Sequence, residues 1–237
     1  MDDGVQSRLR AVSTATISMQ LLKRGIRAVS MAGVAPLRRG FPRIAGPAYT
    51  LRFLPFREDL FDVAKIGDPD SSQRKAIEEA PAGSVLVIET HGATDTGTLG
   101  DILALRLKVR GVEGVVTDGA VRDAAGVLAV DYPVFAGGVA APASYNGLID
   151  GGHQLDISCG GVTVRPGDAV VADDDGAIVI PADLAAEVAE AGWEQERLER
   201  FIAREVARGR SIVGLYPPND ETRAAYQAWV EAGAPED

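Results

Sequence analysis

The chain has 237 residues, 46% of them hydrophobic, and its formal net charge of −10 disfavours nucleic-acid binding, which relies on Lys and Arg neutralising phosphates. A single cysteine, Cys159, excludes an intrachain disulfide, and no apolar run reaches the roughly 18 residues of a membrane span. The N-terminal segment lacks the apolar core of a signal peptide, so we expect a cytoplasmic protein without a membrane or nucleic-acid partner.

The first element is helical. Residues 5–24 have the spacing of one amphipathic helix, interrupted by hydroxyl residues. The same pattern fits two helices over 5–12 and 16–24, because Ser13 or Thr14 can cap the second one. Both alternatives stay open at this point.

Between this region and the centre of the chain, the pattern is mixed. Residues 28–48 are rich in Gly, Pro and Arg, which predicts irregular structure. Residues 49–54 alternate between apolar and polar side chains, as a half-buried strand does. Short helices are predicted over 58–65 and 73–80.

The centre of the chain alternates strands and helices. Buried strands are predicted over 84–89, 112–117 and 133–136, with helices over 101–110 and 121–129 between them. Strands that alternate with helices form parallel sheets, because the helix carries the chain back across the sheet. The fold class is therefore α/β.

The chain then changes to short strands. We expect them at 162–164, 169–172 and 177–180, separated by turn sequences, and together they predict a β-rich second layer on the same core. A helix over about 182–208 and one more short helix within 211–230 follow. We expect a single domain over 1–237 that ends in a helical arm from about 182 to 237.

Two loops of the central block carry the candidate chemistry. Asp101 begins a helix whose first backbone N–H groups, including those of Ile102 and Leu103, lack helical partners and attract a carboxylate or phosphate. Arg122 and Asp123 follow the next strand. Ligands bind at the carboxyl ends of parallel strands, so two carboxylates and a guanidinium would share one mouth. Carboxylates with waters suit Mg²⁺ or Mn²⁺, and Arg122 would hold a substrate carboxylate.

A plainer interpretation of these residues stays open. Asp101 fits ordinary capping at a helix N-terminus, and Arg122 with Asp123 fits a surface ion pair. His91 lies in the loop before Asp101 and is a candidate for proton transfer, although a solvated loop histidine is the simpler interpretation. Cys159 has no recognisable catalytic partner and is expected to be a small buried residue.

The spacing of these residues resembles a known motif. Asp101, then twenty residues, then Arg122-Asp123 is similar to the D-x20-R-D motif of the metal-dependent 4-hydroxy-4-methyl-2-oxoglutarate / 4-carboxy-4-hydroxy-2-oxoadipate aldolases, which share a family with the RraA regulators of ribonuclease E. Further segments that look like family segments surround the motif, and the resemblance extends over roughly residues 10–185. They are Ser13-Thr14-Ala15-Thr16, Gly46-Pro47-Ala48, Leu99-Gly100-Asp101, Arg110 to Gly114, Asp118 to Asp123, Pro133 to Ala136, Pro166-Gly167-Asp168 and Asp175-Gly176.

The resemblance implies a layered α/β/β, swivelling-domain-like fold and a homotrimer or hexamer with sites between subunits. It implies that Asp123 holds Mg²⁺ or Mn²⁺ largely through waters, that Asp101 orients such a water, and that Arg122 binds a 2-oxo acid. Gly100 and the backbone amides of Ile102 and Leu103 would complete the substrate site. A glutamate from a neighbouring subunit is also implied, and the candidates in that region are Glu194, Glu196 and Glu199.

Two functions follow from the resemblance. The first is a class II lyase that splits a 4-hydroxy-2-oxo diacid to pyruvate or decarboxylates oxaloacetate, since both reactions pass through the enolate of pyruvate. The second is a non-catalytic regulator of a ribonuclease. Metal-dependent turnover distinguishes the two.

Overall fold

The structure is a computed structural model and describes residues 1–234, apart from the side chain of Lys65. Residues 235–237 of the predicted arm lie outside the described part. The strands are β1 (Ala35–Pro36), β2 (Ile44–Pro55), β3 (Val85–Glu89), β4 (Gly114–Thr117), β5 (Ala120–Val121), β6 (Val134–Ala136), β7 (Gly138–Val139), β8 (Leu148–His153), β9 (Ile157–Cys159), β10 (Val162–Val164), β11 (Ala169–Asp173) and β12 (Gly176–Ile180). The α-helices are α1 (Asp3–Ala11), α2 (Thr14–Lys23), α3 (Ser72–Glu79), α4 (Asp101–Val109), α5 (Ala124–Ala129), α6 (Ala185–Ala207) and α7 (Asp220–Glu231).

One mixed sheet organises the molecule. Its order is β1-β6-β4-β3-β2-β11-β12, and β8 pairs with the second half of β2. β2, β3, β4 and β6 are parallel, as the central pattern predicts, whereas β1, β8, β11 and β12 are antiparallel to their neighbours. The sheet curls until β1 contacts β12, so it forms a nearly closed, barrel-like structure.

Alternating side chains divide the core into an inside and an outside. In β3, Val85 and Val87 pack with Val170 of the antiparallel half, whereas Leu86 and Ile88 face the other way. The outward side of the parallel strands is covered by α3, α4 and α5, and that of β11 and β12 by α1, α2 and α6. Both faces of the central strands are therefore buried, which is why their sequences are continuously apolar.

The α/β class and the parallel central block are confirmed, and the α/β/β, swivelling-domain-like layering stays a prediction. The strands expected as a second β layer include β11 and β12, which continue the main sheet through β2. β9 and β10 form a separate antiparallel pair, and their side chains fill the inside of the barrel.

Several element bounds differ from the sequence prediction. The N-terminal region is a helix pair, α1 and α2, and Ser13 caps the second helix by accepting a hydrogen bond from Thr16 N–H at 3.1 Å. β2 is twelve residues long and begins inside the stretch expected to be irregular. The predicted helix over 58–65 shrinks to one 3-10 turn at Val63–Lys65, and Leu60 and Val63, which would lie on its apolar face, are exposed.

The C-terminal helices form their own small cluster. Phe201 and Ile202 of α6 pack with Leu215 and with Tyr226 of α7. Among the described helices, none is long and apolar enough to cross a membrane.

Candidate active site

Asp101 stands in the first turn of α4, where the sequence predicts it. Gly100 is the N-cap residue and provides no side chain to cap the helix. The Asp101 carboxylate oxygen Oδ1 instead accepts a hydrogen bond from Ile102 N–H at 2.8 Å. One of the two amides expected to bind a substrate carboxylate is thus already occupied by a carboxylate. The Ile102 side chain is 76% exposed, whereas Leu103 packs against the core.

The Arg122–Asp123 pair lies directly across from this turn. Arg122 N–H donates to Leu99 C=O at 2.8 Å, and Thr98 N–H donates to Ala120 C=O at 3.0 Å. These two backbone hydrogen bonds hold the loop that leads into α4 against the loop that leads into α5. The three predicted residues are therefore brought together at the N-termini of two adjacent helices, where the helix dipoles favour negative charge.

Asp123 has an unusual backbone conformation. It is the N-cap of α5 and has a φ of 53°, in the left-handed region that few residues other than Gly adopt. Its Oδ2 receives a hydrogen bond from Arg122 Nε at 3.0 Å. Strained residues of this kind cluster at functional sites, because the surrounding structure must hold them in place.

Three glycines let these groups approach one another, and two of them, Gly97 and Gly126, were missed by the sequence prediction. A Cβ on Gly97 would lie 2.8 Å from Arg122 Cβ, and one on Gly126 would lie 2.8 Å from Asp101 Oδ2. A Cβ on Gly100 would lie 3.0 Å from Asp123 Oδ2. For Gly126, the sequence offered one signal, a glycine inside a predicted short helix. Glycine in a helix costs stability, so its presence there suggests a close packing contact.

The donor set limits how a metal could be held. Within residues 1–234, no group of three or more His, Cys, Asp and Glu side chains is placed to hold a metal ion. Asp101 and Asp123 supply two carboxylates at one mouth, and the Asp123 side chain is 48% exposed. Mg²⁺ usually keeps several waters and takes only one or two protein carboxylates, so this set fits a hydrated ion.

The glutamates proposed for a neighbouring subunit differ in their surroundings. Glu196 is engaged within its own chain, because Ser13 donates to it through its N–H at 2.9 Å and its hydroxyl at 2.8 Å. Burial raises the pKa of Glu196, but the hydrogen bonds from Ser13, together with Thr16 and the charge of Arg43, outweigh this and hold the pKa below its usual value. Glu194 pairs with Arg197 at 3.0 Å, and Glu199 accepts from Gln195 at 2.8 Å.

His91 stands apart from the three site residues. Its φ is 57°, and its Nδ1 lies 3.4 Å from Oε1 of the buried Glu89. The loop around it is held by Asp118, which accepts hydrogen bonds from Thr90 N–H at 2.8 Å and Gly92 N–H at 3.2 Å. Asp118 is therefore a structural residue of the loop. Cys159 is fully buried as expected, and burial raises the pKa of its thiol.

These features define an α/β protein with a nearly closed sheet and a polar Asp/Arg-Asp site at two helix N-termini. The chain belongs to the RraA-like family, described as Aldolase/RraA, whose family model matches residues 14–179. The predicted family resemblance is confirmed.

Two curated relatives of the chain have different names. Protein DlpA of Legionella pneumophila is 34% identical over 200 residues, which are 84% of this chain and 31% of that protein. A putative 4-hydroxy-4-methyl-2-oxoglutarate aldolase of Halalkalibacterium halodurans is 42% identical over 107 residues, or 45% of this chain and 50% of that protein. The chain thus spans half or less of the length of these two relatives.

Solved structures share the fold. An uncharacterized protein from Pseudomonas syringae pv. tomato has a TM-score of 0.78 at 27% identity, with 91% of this chain and 98% of that one covered. RraAS2 of Streptomyces coelicolor, described as an unusual member of the RNase ES inhibitor RraA protein family, has a TM-score of 0.76 at 36% identity. That match covers 85% of this chain and 96% of the other.

Proposed function

We propose that this protein is a divalent-metal-dependent carbon–carbon lyase acting on small 2-oxo acids. The observation that carries the proposal is the interlocked site, in which Gly97, Gly100 and Gly126 let Asp101, Arg122 and Asp123 meet. The likeness to a putative aldolase supports the same class of reaction. The alternative interpretation, in which Asp101 is an ordinary helix cap and Arg122 and Asp123 form a surface ion pair, does not require three close glycine contacts. It therefore explains less of the geometry.

In this proposal Asp123 would hold Mg²⁺ or Mn²⁺ largely through waters, and Asp101 would orient one of those waters. When bound, the ion would supply Lewis-acid polarisation of the 2-oxo group and a more acidic water. Arg122 receives the substrate carboxylate, since guanidinium groups bind carboxylates in a fork. The backbone at Gly100, Ile102 and Leu103 completes the site once the Asp101 carboxylate turns away from Ile102 N–H.

In the retro-aldol direction the C4 hydroxyl gives its proton to the water that Asp101 orients, the C3–C4 bond breaks, and C4 leaves as a carbonyl. The electron pair stays on C3 as the enolate of pyruvate, and C3 takes a proton back from that water. Oxaloacetate decarboxylation releases CO₂ and gives the same enolate, which takes its proton from water. Arg122 stabilises the developing negative charge in both cases.

We also propose a homotrimer or hexamer in the cytoplasm, with a neighbouring glutamate completing the site. Of the three candidates, Glu194 and Glu199 fit this role better than Glu196, whose carboxylate is bound to Ser13.

The test is pyruvate release from oxaloacetate and from 4-hydroxy-4-methyl-2-oxoglutarate with Mg²⁺ or Mn²⁺, and then with EDTA. We expect metal-dependent release that falls about 100-fold or more in Arg122→Ala. Arg38→Ala is the matched control, because Arg38 pairs with Asp131 at 2.7 Å on the surface. Full turnover by Arg122→Ala on both substrates would refute the assignment.

A non-catalytic role as a ribonuclease regulator is the second candidate. It is favoured by the 36% identity to RraAS2 over most of both chains. A regulator has no need for metal-dependent turnover, so folded protein that releases no pyruvate, while binding a ribonuclease, would support it over the lyase.

A further inference from the structure

The Asp101 carboxylate occupies a group that the proposed function assigns to the substrate. Its Oδ1 accepts a hydrogen bond from Ile102 N–H at 2.8 Å, and this amide is one of the two that would bind a 2-oxo acid. In the described part of the chain, the Asp101 carboxylate pairs with no Lys, Arg or His. Its partner is therefore a backbone amide at a helix N-terminus, the kind of group that also binds a free anion.

The packing around Asp101 supports this orientation. Its Oδ2 lies against Gly126 of α5, where a Cβ would be only 2.8 Å away. Any side chain at position 126 would meet this oxygen, so the glycine provides the space that the Asp101 carboxylate needs. The occupied amide thus depends on a second helix, which ordinary capping within α4 does not require.

Arg122 is engaged in the same way. Its Nε donates to Asp123 Oδ2 at 3.0 Å, and both side chains are partly exposed. A Cβ on Gly100 would lie 3.0 Å from the same oxygen, so a glycine makes room for this pair as well. An amide and a guanidinium that would bind the substrate are therefore both bound to carboxylates of the site itself. Carboxylates of the same chain compete at a high effective concentration.

We propose that Asp101 is an internal competitor for the substrate carboxylate, and that it leaves the Ile102 amide only when Asp123 holds a divalent ion. The inference rests on the proposed lyase function and names a regulation of the same site. In the metal-free protein, a displaced Asp101 carboxylate would face Asp123 and the incoming anion, with Arg122 as the one cation described at this mouth. With a hydrated divalent ion at Asp123, Asp101 can turn to that ion and free the amide. Metal and 2-oxo acid then favour each other's binding, as coupled ligands do.

The test measures pyruvate binding in EDTA, where neither turnover nor a metal contributes. The Kd is obtained by titration from the line width of the pyruvate methyl proton signal in NMR. Asp101→Ala removes both the competing oxygen and the charge, whereas Asp101→Asn removes the charge but keeps an oxygen that can accept from Ile102 N–H. We expect the Kd of Asp101→Ala to be about tenfold lower than that of wild type, the effect of one charge-assisted hydrogen bond. The Kd of Asp101→Asn should fall between the two.

Asp183→Ala, on the exposed turn before α6, makes the same change of charge away from the site and should leave the Kd unchanged. Equal Kd values for Asp101→Ala and Asp101→Asn would mean that only the charge matters and would overturn the inference. A Kd for Asp101→Ala no lower than that of wild type would overturn it too, and neither result bears on the lyase. The expected order of Kd values, without metal-dependent pyruvate release by the wild-type protein, would refute the lyase but support Asp101 as the competitor.

Discussion

At the scale of single residues, the strained backbone of Asp123 permits a clean substitution. Asn tolerates the left-handed region as Asp does, so Asp123→Asn keeps the backbone and removes only the charge. We expect metal-dependent pyruvate release to fall about 100-fold or more. Asp131→Asn is the control, because Asp131 has a φ of 52° and lies outside the site. Equal loss in both variants would show that the charge of Asp123 is not what matters.

Substitution of Gly126 should affect activity more than stability. A Cβ at this position would lie 2.8 Å from Asp101 Oδ2 and 2.9 Å from Asp101 Cβ, so Asp101 would have to shift, while the higher helix propensity of Ala, about 1 kcal/mol, offsets part of that cost. We therefore expect Gly126→Ala to lose activity while its melting temperature changes little. Gly192→Ala, in α6, is the opposite case, because its Cβ would meet Val12 Cγ1 at 2.7 Å, far from the site. It should lower the melting temperature and spare the activity; the reverse pattern would contradict this account of the site.

At the scale of elements, the hydrogen bonds between Ser13 and Glu196 join α6 to the start of α2. The pKa of Glu196 is lower in the folded chain than in the unfolded one, where it is about 4.3. Its contribution to stability is therefore complete above that value and is lost as the pH falls through the folded pKa. We expect Glu196→Gln to be less stable than wild type at pH 7, with the difference shrinking below about pH 4 in urea unfolding.

Glu190→Gln provides the comparison on the same helix. Glu190 pairs with Arg8 at 3.1 Å with both side chains about half exposed, and such pairs contribute little. Identical pH profiles for the two variants would mean that the Ser13 contact does not stabilise the fold.

Element prediction succeeded where the pattern and the burial agree. β3 and β4 are continuously apolar and buried on both faces, and α4 begins at Asp101 as predicted. β8 was missed because it contains Gly151 and Gly152, which resemble a turn in sequence. In the structure a Cβ on Gly151 would lie 2.8 Å from Arg52 C=O, so the glycine permits the close approach of β8 to β2.

At the scale of the whole molecule, closure of the sheet makes its interior the main core. Phe135 is fully buried there among side chains from both halves of the sheet. Phe135→Ala should lower the free energy of unfolding by about 3–5 kcal/mol, because it leaves a cavity that rigid strands cannot fill. Phe56→Ala, at a half-buried position, should cost clearly less; similar losses in chemical denaturation would contradict the assignment of the core.

The sequence by itself determined the α/β class, the parallel central block and the D-x20-R-D spacing, because each depends on patterns within a few residues or within one strand-helix unit, whereas it left open whether the N-terminal region is one helix or two. The tertiary structure decided that the sheet nearly closes, that Gly126 lies against Asp101, that Asp101 occupies the Ile102 amide, and that Glu196 binds Ser13. Most of these contacts join elements that are distant in the chain, and how Asp101 is oriented depends on the packing around it. Local periodicity carries no information about which distant surfaces meet, since that depends on how the whole core packs.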